Sequence, residues 1–153
     1  MSDKSLRPDV LPPSVGWLGY GGLLPFVFLA VLCLGEPAHE IIYRGALFSY
    51  GAVILSFVGA IHWGLAMVVP GLSVRQRRSC FIWSVVPALM AWVTILFGPI
   101  TTGLILILGF LMQYARDMVL CREVELPAWF LPLRLRLTAV ACVSLAIGVA
   151  SVY

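Results

Sequence analysis

Ala46-Leu47-Phe48-Ser49-Tyr50-Gly51-Ala52-Val53-Ile54-Leu55-Ser56-Phe57-Val58-Gly59-Ala60-Ile61-His62-Trp63-Gly64-Leu65-Ala66-Met67-Val68-Val69 contains no Asp, Glu, Lys or Arg. Coiled as an α-helix at 1.5 Å per residue, it reaches about 36 Å, enough to cross a hydrocarbon core of about 30 Å. Its apolar residues run continuously rather than alternating, which selects a helix over a barrel strand. Working outward, four more runs of similar character lie at about 17–34, 80–97, 100–120 and 135–152. Together with 46–69 they take up nearly all of the 153 residues. The expected fold is an all-α integral membrane protein, with 1–153 forming one transmembrane domain of five helices. Composition agrees: 61% of residues are hydrophobic and 11% charged, and the mean hydropathy is +1.03. A water-soluble domain carries about 25% charged residues, and a disordered chain needs low hydrophobicity with high net charge. Both classes are excluded.

Gly98-Pro99 alone separates the third and fourth runs. Proline suits the first turn of a new helix, so the pair predicts a tight antiparallel hairpin rather than one long kinked helix. The first run opens among Gly16, Gly19, Gly21 and Gly22 and holds Pro25, near which a kink is expected. Basic residues in short loops orient such a bundle. With five spans, Lys4, Arg7, Arg75, Arg77, Arg78, Arg116, Arg122, Arg134 and Arg136 share one side, and the other keeps only Arg44, with Glu36 and Glu40. The N-terminus is therefore expected in the cytoplasm and Tyr153 outside. The net charge of +3 is a topology signal, and no nucleic-acid partner is expected, because no basic face on a soluble surface is available. Asp3 and Asp9 beside Lys4 and Arg7 do not resemble an acid-poor transit peptide. The first span is expected to be retained and the host membrane to be a bacterial inner membrane, with the lipid bilayer as the immediate partner.

Cys33, Cys80, Cys121 and Cys142 show no Cys-x-x-Cys or Cys/His spacing and read as small packing residues, without a metal site or disulfide. No His-Glu-x-x-His, Gly-x-Ser-x-Gly or dinucleotide loop occurs in a usable context, so neither a catalytic residue nor a cofactor is assigned.

Depth along the oriented spans concentrates polar groups in one inner layer. His62-Trp63 lies about 10 Å in from the cytoplasmic end of the second span. Gln113, Tyr114, Arg116 and Asp117 occupy the last two turns of the fourth. The first span adds Trp17 and Tyr20, the third Trp83, and the fifth Arg136 and Thr138. Gln113 and Asp117 share a helix face and Tyr114 flanks Asp117, whereas Arg116 is about 100° round the helix and cannot form an i,i+4 pair with Asp117. Two readings follow. In one, His62, Trp63, Gln113, Tyr114 and Asp117 line an inward-facing polar pocket. In the other, Arg116 and Asp117 snorkel to the headgroups while Gln113 and His62 are interhelical hydrogen-bonding residues.

Ala52, Ser56, Ala60 and Gly64 form a small-xxx-small ladder, expected to pack a neighbouring helix of the same chain more readily than a second copy or another protein. His62 lies roughly opposite this ladder, so the second span is expected at the centre of the bundle. Pro127 and Pro132 interrupt the segment before the last span, and Trp129 and Phe130 between them are expected to anchor at the membrane interface.

The run Leu55-Ser56-Phe57-Val58-Gly59-Ala60-Ile61-His62-Trp63-Gly64 resembles the transmembrane-protein-69-like family. So do Gly22-Leu23-Leu24-Pro25-Phe26, Gly109-Phe110-Leu111-Met112-Gln113 with Asp117, and Leu126-Pro127-Ala128-Trp129 through Leu133-Arg134-Leu135-Arg136-Leu137-Thr138. The resemblance covers about 15–140. It implies a small multi-span protein of the bacterial inner membrane, with mitochondrial relatives, in a domain family of unknown function. It carries over no activity. Three functions stay open: a non-enzymatic accessory or assembly partner of a larger membrane complex, possessing a membrane-protein partner or forming a homo-oligomer; a small-molecule binder or proton-coupled carrier; and a membrane enzyme acting on a lipid or quinone.

Overall fold

A computed structural model describes residues 10–35 and 37–152. Lys4, Arg7, Asp3, Asp9, Glu36 and Tyr153, all used above for orientation or targeting, lie outside the described residues. Among the described residues six α-helices follow in order: α1 (Pro13–Gly21), α2 (Leu24–Gly35), α3 (Glu40–Val68), α4 (Val74–Val93), α5 (Pro99–Glu123) and α6 (Phe130–Ala150). Short 3₁₀ turns, Pro37–His39 and Thr94–Leu96, precede α3 and follow α4. α1 and α2 together make one span, so five helical segments are long and apolar enough to cross a membrane.

Three boundaries differ from the sequence reading. The first span is interrupted near Pro25, as expected, but not at the proline itself. It breaks at Gly22-Leu23 and restarts, with Pro25 as the second residue of α2, where a missing backbone N–H costs nothing. The break is fastened by Tyr50, whose hydroxyl donates to the Gly22 carbonyl at 2.8 Å. Second, helices begin well before the apolar runs: α3 at Glu40 rather than Ala46, α4 at Val74 rather than Cys80, α6 at Phe130 rather than Leu135. Hydropathy marks the part in hydrocarbon, but a backbone already hydrogen-bonded as a helix continues through charged residues whose side chains leave the core. Third, Pro132 sits inside the first turn of α6, a position that tolerates proline. Only Pro127 stays in the connection.

Capping explains the ends. Ser73 closes a capping box on Gln76 at the start of α4. Arg77 returns its guanidinium to the Ala66 and Val69 carbonyls, satisfying acceptors that the last turn of α3 leaves open. Gly98 precedes Pro99, the first residue of α5, and Thr102 donates its hydroxyl to the Thr94 carbonyl at 3.0 Å. The third and fourth spans are thus an antiparallel hairpin.

α3 is central, touching α2, α4, α5 and α6. Lipid tails are as apolar as leucine, so close packing rather than water exclusion holds such helices together. Glycines make that approach possible: a Cβ on Gly59 would meet Pro87 ring atoms at 2.8 and 2.9 Å, and one on Gly109 would meet Leu55 at 2.5 Å. One apolar core is built around Phe26, Leu47, Phe48, Leu55, Leu106, Phe110 and Leu145. A second, smaller one joins Ala66, Cys80 and Leu120. The polar residues lie between them in sequence along both α3 and α5.

Candidate functional site

Each polar side chain between the two cores is placed by the helix that carries it. His62 projects from the inward face of α3 between Val58 and Ala66, both buried. Gln113 and Asp117, four apart on α5, share its buried face with Phe110 and Leu120. α6 contributes Arg134 and α4 contributes Trp83. His62 and Gln113 are 0% exposed, Asp117 1% and Arg134 5%.

The hydrogen bonds form one chain. The indole Nε1–H of Trp83 donates to Gln113 Oε1 at 2.9 Å. That fixes the amide, whose Nε2 lies 3.0 Å from His62 Nδ1 and donates to Asp117 Oδ1 at 3.1 Å. Asp117 Oδ2 accepts from Arg134 Nε–H at 2.6 Å. An amide nitrogen has only protons to offer, so His62 Nδ1 accepts and its remaining proton sits on Nε2. That Nε2 is 3.6 Å from Asp117 Oδ1, too far for a hydrogen bond, and is left without a partner. Arg134 Nη2 is likewise buried and unpartnered. With a neutral imidazole the cluster sums to zero charge, one carboxylate against one guanidinium. A buried charge is tolerated in a membrane when it is paired in this way.

The sequence reading put His62, Gln113 and Asp117 in one layer, and the structure brings them into direct contact. Trp63 is not with them: it is 51% exposed and packs edge-on against Phe81, with ring centroids 4.9 Å apart. Tyr114 is half-buried and makes none of the cluster's hydrogen bonds. Snorkelling of Asp117 to the headgroups is overturned by its burial. Arg116, as its angular position required, turns away from Asp117 and donates to Ser79 Oγ at 2.8 Å. Sequence reasoning missed Arg134, treated only as a flanking charge because the apolar run starts one residue later. The signal that finds it is pairing: Asp117, the one acidic residue inside the five apolar runs, needs a cation, and Arg116 is on the wrong face. Of the fifth span, Arg134 and not Arg136 joins the layer. Arg136 is exposed and donates to the Tyr20 hydroxyl at 3.1 Å.

The ladder is also corrected. Ala60 and Gly64 are exposed, and nothing lies within 4 Å of a Cβ placed on Gly64. Ala52 and Ser56 are half-buried. The face used within the chain is Gly51, Leu55, Gly59, His62 and Ala66, all buried. His62 does lie away from the ladder, as its angle predicts. Trp129 and Phe130 are half-buried at the start of α6, ring centroids 6.4 Å apart. Among the described residues no group of His, Cys, Asp and Glu could hold a metal ion.

Comparison with known proteins adds a family and no activity. A family model described as a protein of unknown function, DUF3429, matches residues 11–150. Transmembrane protein 69 of Xenopus tropicalis is 36% identical over 146 residues, covering 93% of this chain and 55% of that protein. The chain thus spans about half the length of this curated relative. No solved structure matches.

Proposed function

For a chain that belongs to the DUF3429 family of proteins of unknown function, we propose a non-enzymatic role as an accessory or assembly partner of a larger membrane complex, in the bacterial inner membrane. The observation that carries this reading is where the bundle's polar groups direct their hydrogen bonds. His62, Gln113, Asp117 and Arg134 bond to one another and are buried at 0–5% exposure. An acid or base that acts on a substrate needs that substrate within hydrogen-bond reach, and here His62, 0% exposed, and Asp117, 1% exposed, present almost no surface to one. Such a cluster acts as a lock: each helix has one register in which its polar group finds a partner.

The packing residues of the outer face support the same role. Ala60 and Gly64 are turned outward on the central helix, beside the exposed ring of Trp63. Small residues there let the backbone of a foreign helix approach closely.

The test is a mild-detergent pull-down of the tagged chain from its native membrane, comparing the unaltered protein with Ala60→Phe. The expected result is a near-stoichiometric membrane protein, lost in the variant, which recovers the chain when tagged in turn. A chain that emerges alone in both samples overturns the role.

A further inference from the structure

Arg134 is buried against Asp117. The side chain also lines a cavity of about 480 Å³ whose other walls come from α1 (Leu18, Gly19), the α1–α2 break (Gly22), α2 (Phe26), α3 (Phe57), α5 (Phe110) and α6 (Thr138). The volume lies within the range of small-molecule sites, about 300–1,000 Å³. Arg134 is the one charged residue among those lining it. The same side chain is 94% buried by its 6% relative exposure, and its Nη2 has no hydrogen-bond partner. A buried donor left unsatisfied is costly, so the cavity offers an apolar body beside a guanidinium with unused hydrogen-bonding capacity.

We propose that this cavity binds a neutral, lipid-soluble ring carbonyl compound of the quinone type, whose oxygen accepts a hydrogen bond from the Arg134 guanidinium. Neutrality follows from charge: Asp117 already balances Arg134, so a phosphate or carboxylate would bring a charge with no counter-ion among the lining residues. A membrane route follows from the rim, where Leu18 is 79% and Phe57 66% exposed on the outer, lipid-facing surface of the bundle. A flat ring suits the walls, since Phe26, Phe57 and Phe110 supply aromatic surface and rings prefer offset or edge contacts with one another. From Arg134 the lining runs seven residues up α6 to Ala141, about 10 Å, giving a polar end and an apolar end. This site is distinct from the outward ladder of α3, and either can fail alone.

The test uses the purified full chain in detergent with decylubiquinone as the probe and decylbenzene as a partner-matched hydrocarbon without carbonyls. Binding is read by tryptophan fluorescence quenching and by the shift in thermal unfolding. Decylubiquinone is expected to bind and stabilise, and decylbenzene to bind about tenfold more weakly, the ratio set by one hydrogen bond. Arg134→Lys keeps a cation for Asp117 but removes the guanidinium fork, and is expected to lose about tenfold in affinity for the quinone. Gly19→Leu keeps the result interpretable if that variant unfolds. A Cβ at Gly19 makes only ordinary contacts, the nearest at 3.6 Å, and the longer side chain occupies the cavity, so binding is expected to vanish in a folded protein. Equal affinity for both probes, or quinone binding unchanged by Gly19→Leu, overturns the proposal. So does a phospholipid that copurifies, is lost in Gly19→Leu and is not displaced by decylubiquinone.

Discussion

Gln113 is the pivot of the buried chain, because a primary amide alone offers two donors and an acceptor in one plane. Its oxygen takes the Trp83 proton and its nitrogen serves both His62 and Asp117. Gln113→Leu removes all three contacts at once, stranding an indole N–H, an imidazole nitrogen and part of a carboxylate. With about 1–3 kcal/mol per stranded group, the variant is expected to unfold at distinctly lower temperature or denaturant, measured in detergent. His62→Gln, which can still accept from Gln113, is expected to lose about 1 kcal/mol or less. Asp117→Ala leaves Arg134 as an uncompensated buried cation and is expected to cost about 3–5 kcal/mol. The double variant Asp117→Leu with Arg134→Met removes both charges, and its cost is expected to fall below that of Asp117→Ala. A larger loss in the double variant would mean that the pair does not act as a unit.

At the scale of helices, two glycine patterns one residue apart on α3 have opposite meanings. Gly51, Leu55 and Gly59 face inward, and Ala52, Ser56, Ala60 and Gly64 turn progressively outward. A ladder found by spacing alone carries no information about which side of the helix the bundle lies on. Contact supplies it, through the proline ring of Pro87 seated on Gly59. A proline ring cannot rotate aside, so Gly59→Ala must separate α3 from α4. An overpacking cost of about 1–3 kcal/mol is expected. Gly64→Ala, with open space around it, is expected to be neutral or slightly stabilising through helix propensity. Denaturant titration of the two variants side by side checks the pair. Pro25 follows the same logic: its residue type announces a disturbance, but only the pair Gly22-Leu23 and the bond from Tyr50 decide that the helix stops and restarts.

Across the whole molecule, contacts at the two ends agree with the distribution of charge. Arg44 pairs with Glu40 and donates to the Ser151 carbonyl at 3.3 Å, tying the start of α3 to the end of α6. The other end holds Arg77 against the close of α3, Arg116 against Ser79 and Arg136 against Tyr20. By the positive-inside rule, the excess of arginine at that end supports the proposal that it faces the cytoplasm. A periplasm-active alkaline phosphatase fused after Tyr153 is therefore expected to be active, and the same reporter inserted at Arg78 silent. The opposite pattern, with both fusions made in full, would invert the bundle. The outward ladder and the cavity at Arg134 belong to this scale as well, since both depend on which faces five helices leave uncovered.

Continuous apolar runs determined the spans, their number and the hairpin at Pro99, because in hydrocarbon a backbone must satisfy its own hydrogen bonds and span length is set by bilayer thickness. Periodicity and depth also placed His62, Gln113 and Asp117 in one layer, since spacing along a helix fixes both angle and height. Sequence alone left the partners undecided. Arg134 enters the cluster only because α6 begins before its apolar run and turns that residue toward α5. Trp63 leaves it, one position after His62, because about 100° of rotation carries it to the outer surface. Rotation of each helix about its axis is set by interlocking side chains from other helices, far apart in the chain, and that is what the tertiary structure decided.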